Sequence, residues 1–216
     1  MLIDIHTHQD YKNDDVFYVK NNYPLEIENG KYFSCGIHPW YISEENIDNE
    51  LMILNQKLVS KNCLALGECG LDKITQTPFE LQKQVFTKQL KINQNHQKPV
   101  IIHAVKAHQE ILEIQKREKI KETFLFHGFN KNENLLNQIL RQENHVSFGK
   151  DLLKNQKLQT IFANLSWKEI FLETDSADLT IDLIYEKACE LKKISISELE
   201  EIIKENASNF LQKNIE

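Results

Sequence analysis

The chain runs to 216 residues with 41% hydrophobic content, enough for one globular domain with a sizeable core and too much for a lone motif-sized module. A formal charge of −6 gives no general basic field, so an anionic substrate has to be gripped by local groups or by metal ions. No run approaches the roughly 20 apolar residues that cross a bilayer, and the first residues lack the basic segment and apolar stretch of a signal peptide; a cytoplasmic protein with no membrane partner is expected.

In chain order, Leu2 to His6 predicts a first strand, and Val16 to Lys20 a second. The connection between them, from His8 to Val16, is too short for a crossover helix, since parallel strands need a dozen or more residues between them. Tyr32 to Ile37 predicts a third strand. An amphipathic helix over Glu44 to Ser60 follows, with Ile47, Leu51, Leu54 and Leu58 on one face. Cys63 to Glu68 predicts a strand, and Pro78 to His96 a helix with Thr77 as N-cap and Pro78 at its first position. Strands over Val100 to Ala104, Thr123 to His127, His145 to Gly149 and Ile170 to Thr174 then alternate with helices over Lys106 to Glu118, Glu133 to Gln142 and Leu153 to Asn164. Ile181 to Lys192 and Ser197 to Leu211 read as closing helices.

Strands alternating with helices mean parallel pairing, so the expected class is α/β, a (β/α)8 TIM-type barrel, short and irregular in its first quarter. With no repeat, low-complexity tract or Pro/Gly-rich linker, residues 1–216 read as a single domain. Cys35, Cys63, Cys69 and Cys189 show no CxxC spacing and read as small buried residues kept reduced in the cytosol. His96, His108 and His145 read as surface residues.

Polar residues suited to metal binding recur where the apolar strands end: His6 and His8, Glu68 in "LALGECGLD", His103 in "PVIIHA", His127 in "FLFHGF" and Asp175 in "IFLETDS". A (β/α) barrel gathers these ends on the face that carries active sites. Imidazoles and carboxylates so gathered would repel or stay unpaired without a cation, whereas four neutral imidazoles and two carboxylates make a good site for two divalent ions. Residues i and i+2 of a strand point to the same side, so His6 and His8 can reach one ion while Thr7 faces away. Such ligands accept Zn²⁺, Mn²⁺, Ni²⁺ or, less tightly, Mg²⁺.

Taken in order, "IDIHTH", "GIHPWYI", "ALGECGLD", "FTKQLKINQNHQKPVIIHAVKA", "FHGF", "VSFG", "FLETDS" and "ENASNFL" resemble the TatD family of metal-dependent hydrolases, within the wider amidohydrolase-like superfamily, over nearly the whole chain. The resemblance implies a two-metal site with His6, His8 and Asp175 on one ion, His103 and His127 on the other, and Glu68 bridging both; Asp175 would also orient the attacking water and take its proton. It implies DNA hydrolysis as well, in the manner of a metal-dependent exonuclease; the acidic chain with few clustered basic residues adds the expectation of single strands trimmed from an end. Substrate-facing positions depart from the family pattern: Val105 stands where an Arg is usual, with Lys106 following; Asn130-Lys131 replaces Ser-Gly; Ala177 replaces a Pro; and the loop after it is short. Lys73, Lys106 and Lys131 are the candidates to replace the lost positive charge as point charges on phosphate, although each taken alone reads rather as a solvated surface lysine. His38 matches a family substrate-pocket position and is expected either to contact phosphate or leaving group or to order the turn before Pro39. Asp72 reads as a support for a ligand, and Trp40 and Tyr41 as hydrophobes covering a helix, with base stacking the lesser reading. Beside the deoxyribonuclease stand two alternatives: a metal-dependent hydrolase of a small phosphate ester, amide or lactone, and a non-catalytic metal-binding interaction protein, against which the open, complete ligand set argues.

Overall fold

The computed structural model describes residues 1–12, 15–28 and 30–215. Its strands are β1 (Leu2–Thr7), β2 (Val16–Asn22), β3 (Phe33–Cys35), β4 (Cys63–Asp72), β5 (Val100–Val105), β6 (Phe124–Phe126) and β7 (His145–Val146). The helices are α1 (Ile47–Leu58), α2 (Phe79–Asn93), α3 (His108–Arg117), α4 (Glu133–Leu140), α5 (Gln156–Asn164), α6 (Ile181–Lys192) and α7 (Ile196–Phe210). From β3 onward strand and helix alternate as in a (β/α)8 chain. Among the described residues no helix separates β1 from β2 or β2 from β3, which is the irregular first quarter that the short connections predict; residues 13 and 14 of the first connection lie outside the described residues.

The chain falls into two compact units, one formed by Met1–Val19 with Leu125–Glu216 and the other by Lys20–Phe124. In the second unit β2, β3, β4 and β5 pair in that order, all parallel, with Lys20 opposite Phe33, Ser34 opposite Ala65 and Gly70 opposite His103. Parallel strands are buried on both faces, and all ten residues of β4 are buried. α1 covers this sheet with the predicted face, Ile47, Leu51, Leu54 and Leu58. At Gly70, φ is +148° and an added Cβ would collide with the His103 carbonyl, so only glycine lets β4 approach β5 at the histidine.

In the first unit β6 pairs parallel with β7, Leu125 opposite His145. The predicted eighth strand, Ile170 to Thr174, takes its place between β7 and β1 in parallel sense, but through isolated bridges and not a continuous ladder, Phe148 with Leu172 and, one residue past its end, Thr7 with Asp175. Its backbone is still bonded on both sides, Phe148 N–H donating to Phe171 O at 2.9 Å and Ile5 N–H to Leu172 O at 3.1 Å. The ladder breaks because the Thr174 amide donates to the Asp4 side chain instead of a neighbouring strand. α7 opens on a capping box in which Ser195 and Glu198 each take the other's amide.

Two more expectations are corrected. α2 is capped by Pro78, with no side-chain cap from Thr77, and the Thr77 carbonyl accepts from Gln82 instead. His145 is not a surface residue: it is half-buried, its ring packs 5.0 Å from Phe171 and 6.0 Å from Phe210, and burial lowers its pKa from 6.5. The cysteines are free, with Cys35, Cys63 and Cys69 buried; burial pushes the Cys63 thiol up to about 12. Among the described residues no helix is long and apolar enough to cross a membrane.

Candidate functional site

In the first unit the end of β1 carries His6 and His8, the turn after β6 carries His127, and the turn after the bridged segment carries Asp175. His6 is fully buried, and its ring lies 4.6 Å from that of His127 and 5.5 Å from that of His8. Asp175 Oδ1 stands 3.8 Å from His6 Nε2 and 3.7 Å from His8 Nε2. Its backbone is pinned: Asp175 N–H donates to His6 O, and His8 N–H donates to Asp175 O, both at 3.0 Å. The residue sits at φ +53°, a left-handed conformation that Asp tolerates better than most side chains, and a turn from Thr174 to Ala177 holds it there. One nitrogen each from His6 and His127 and one oxygen from Asp175 lie within 4.8 Å of one another. Two imidazoles and a carboxylate at that spacing fit a divalent ion.

A carboxylate anchors each side of this cluster, and sequence reasoning named neither. Asp4, fully buried two residues before His6, accepts from Thr174 N–H at 3.0 Å, from the Thr174 hydroxyl at 2.6 Å and from the Tyr11 hydroxyl at 2.7 Å. The Thr174 proton goes to Asp4, so Thr7, 2.7 Å away, donates to Thr174. Burial pushes the Asp4 carboxyl up to about 6, against the pull of the Thr174 and Tyr11 hydrogen bonds. Glu173 accepts from Gly128 N–H at 2.6 Å and from the Ser147 hydroxyl, and its Oε1 lies 3.5 Å from His127 Nδ1. The carboxylate thus faces the ring nitrogen of the histidine, the side on which carboxylates commonly support metal ligands. The available signal was an acidic residue two positions from a ligand, on the same strand face, inside an apolar run.

In the second unit Glu68 on β4 and His103 on β5 meet His38, which follows β3. Glu68 is buried; its Oε1 lies 2.8 Å from His103 Nδ1 and 3.2 Å from His38 Nε2, and its amide donates to Asn21 Oδ1. These three side chains also offer atoms within 4.8 Å of one another, of which Glu68 and His103 suit a divalent ion. His38 Nδ1 accepts the Trp40 N–H at 3.2 Å, which places the ring proton on Nε2 and makes that atom a donor. Asp72 Oδ2 lies 3.1 Å from His103 Nε2 and accepts the Trp40 indole N–H at 2.6 Å, while Oδ1 accepts the Ile74 amide. Burial works against its charge, but the hydrogen bonds from Trp40, Ile74 and His103 outweigh it and hold the carboxyl below the usual range.

Two glutamines on α2 fix this cluster from behind, also unforeseen. Gln82 and Gln89 are each 1% exposed and seven residues apart, hence on one helix face. Gln82 accepts from Asp72 N–H at 2.8 Å and donates to Asp72 O at 2.9 Å; Gln89 accepts from Ile37 N–H at 2.7 Å and donates to Ile37 O at 3.1 Å. Each replaces a neighbouring strand at the point where β4 or β3 ends. A pair of buried polar residues at helical spacing was the available signal.

The structure does not bring the three predicted lysines into these clusters. Lys73 pairs with Glu110, Lys131 donates to Asn130 at 2.6 Å, and Lys106 stands exposed just after β5 at φ +53°. The expectation that Trp40 and Tyr41 cover a helix is overturned: they are 53% and 55% exposed.

A family model described as TatD related DNase matches residues 16–212. An uncharacterized metal-dependent hydrolase of Haemophilus influenzae is 28% identical over 158 residues, 69% of this chain and 60% of that protein. The Escherichia coli metal-dependent hydrolase YjjV is 28% identical over 156 residues, 70% of this chain and 60% of its own length. The stretch matched thus spans three-fifths of these relatives. The crystal structure of Escherichia coli YjjV, a TatD homolog, superposes with a TM-score of 0.83 at 22% identity, covering 100% of this chain and 98% of that one, and a hydrolase TatD family protein from Entamoeba histolytica with 0.78 at 17%, covering 97% of each. The likeness shows the TIM-type barrel fold that the alternation of strand and helix predicts.

Proposed function

The chain belongs to the TatD-related DNase family, and from that membership and the two donor clusters we propose that it is a two-metal phosphodiesterase that trims single-stranded DNA from an end. The observation that carries the reading is Asp175, a carboxylate pinned by two backbone hydrogen bonds to β1 beside His6 and His8, yet 27% exposed at its side chain and so within reach of a substrate. In this proposal residues 1–216 act as one domain. His6, His8 and Asp175 would hold one ion and His103 and His127 the other, with Glu68 shared by both, the assignment that the family resemblance implies; the spacing by itself would equally let His127 join His6 and Asp175. When bound, the ions, whether Zn²⁺, Mn²⁺, Ni²⁺ or Mg²⁺, would supply Lewis acidity to the phosphoryl oxygens and lower the pKa of water.

The chain's own residues do the rest. Asp175 orients the attacking water and accepts its proton. His38, whose Nε2 proton faces Glu68 Oε1 at 3.2 Å, would turn that proton to a phosphoryl oxygen where the ions engage Glu68, and it is left out of the ligand set because coordination through that atom would cost it the proton. Lys106 and Lys131 neutralise flanking phosphate, and Lys73 does so where it leaves Glu110, an exposed pair worth little. With 32 acidic against 26 basic residues, few phosphates are neutralised, which favours a strand end over internal sites and gives a weak salt dependence. The same scarcity of cations, with Val105 at a usual Arg position, supports a second reading, hydrolysis of a small phosphate ester, amide or lactone.

The test incubates metal-reconstituted protein with end-labelled single strands, closed circular DNA, phosphate monoesters and a lactone panel, with Asp175→Asn as control. Stepwise shortening of linear strands by the wild type alone is expected. Inactivity on DNA beside robust turnover of a monoester or lactone transfers the assignment to the second reading.

A further inference from the structure

Isolated exposed hydrophobes on a protein surface need no explanation, but two consecutive large aromatics, Trp40 and Tyr41, each more than half exposed, follow directly on a histidine of the second donor cluster. They are also held still. The Trp40 indole N–H donates to Asp72, itself bonded to the Ile74 amide and His103, while the Trp40 and Tyr41 amides both donate back to His38, to its Nδ1 and its carbonyl. Tyr41 packs edge-on against Tyr23 at 5.1 Å. Rings fixed in advance lose little freedom when a ligand arrives.

Their position relative to the cluster is short-range. The Trp40 ring centre lies 5.0 Å from that of His38 and 5.6 Å from that of His103, and the Tyr41 ring centre lies 5.5 Å from His38. A nucleotide joins its phosphate to its base through one sugar, so a phosphate engaged by His38 carries its base to these rings. We propose that Trp40 and Tyr41 form a stacking platform for the nucleobase next to the cleaved phosphate, an inference that rests on the phosphodiesterase reading above. Stacking on a π-face tolerates any base and adds affinity to the little that the scattered lysines supply. The substrate is therefore a nucleotide chain recognised at its end by base stacking and not by a basic groove, and trimming is indifferent to sequence.

The chain has two tryptophans, so Trp167→Phe leaves Trp40 as the sole indole reporter. In the Trp167→Phe, Asp175→Asn background, which binds without consuming its ligand, oligothymidylate is titrated against the same strand carrying an abasic terminal residue. Saturable quenching by the normal strand is expected, with about tenfold weaker binding of the abasic strand, within the range of one stacked base. Tyr41→Ala should weaken the normal strand by a similar factor and leave the abasic strand unchanged. Trp40→Phe, followed by competition with a labelled strand, should keep base discrimination although it lacks the N–H to Asp72, and Trp40→Ala should lose it. Equal affinity for the two strands, or a Tyr41→Ala effect that is the same on both, overturns the platform. Strand shortening in the panel above with an unchanged KM for abasic ends would sink the platform alone; quenching and discrimination without shortening would retain the platform and sink the nuclease.

Discussion

Replacing Glu173 separates what its shape does from what its charge does. The side chain is 1% exposed, and it accepts hydrogen bonds from Gly128 N–H and the Ser147 hydroxyl while standing 3.5 Å from His127 Nδ1. Glu173→Ala strands the buried Ser147 hydroxyl, while the Gly128 N–H sits on an exposed residue and can turn to water, so a loss of about 1–3 kcal/mol is expected. Glu173→Gln keeps the volume, an oxygen for Gly128 and an amide that can donate to the Ser147 oxygen; it should cost no more than about 1 kcal/mol. It removes the negative charge beside His127, and loss of such a partner typically lowers metal affinity about 10–100-fold. Urea unfolding, with the slope checked for constancy, reads the first quantity, and chelator competition reads the second. A Gln variant that holds ions as tightly as wild type, or an Ala variant within about 1 kcal/mol of it, would refute the reasoning.

Gln89→Leu leaves the buried Ile37 N–H and carbonyl without partners, so about 2–4 kcal/mol of stability should go, with a raised KM as His38 loses its support; unchanged unfolding and kinetics would remove the clamp from the account. Gly70→Ala must adopt φ +148° and meet the His103 carbonyl, and should destabilise by at least about 2 kcal/mol in calorimetry; a neutral result would show that β4 can back away from β5. Burial lowers the His145 pKa below 6.5, so the unfolded chain takes up a proton that the fold does not. The sign is that wild-type stability falls as pH drops below 6.5, by at most about 1.4 kcal/mol per pH unit, relative to His145→Phe; parallel pH profiles for the two proteins would contradict it.

The strands of this protein were legible where an apolar run makes a continuous ladder, as in β4 and β5, and illegible where a side chain takes over the backbone's hydrogen bonds. Tyr32 to Ile37 reads as one strand, but the Ile37 peptide is held by Gln89 and pairing stops at Cys35. Ile170 to Thr174 reads as another, but Asp4 takes the Thr174 amide. Both captures come from far along the chain, which no local pattern encodes. The proposed ligands stood out for the opposite reason, since His6, Glu68, His103 and His127 each interrupt or end an apolar run, a contrast visible in one dimension. Glu173, Gln82 and Asp4 differ from them only in what they touch, and their partners lie in other elements. Trp40 and Tyr41 were misread because aromatic residues after a strand usually bury themselves, and only the structure shows the indole tied to Asp72 and left open.

The central claim is that the two donor clusters serve one two-ion centre with Glu68 at its middle, and counting bound ions tests it most directly. Wild-type protein, loaded with Zn²⁺ or Mn²⁺ and desalted, should retain two ions per chain in elemental analysis, because a bridging carboxylate ties the affinities of the two positions together. Glu68→Ala, shown to be folded by circular dichroism, should retain well under one. Two ions at wild-type affinity in Glu68→Ala would contradict the bridge, and with it the single centre from which the hydrolytic function is argued.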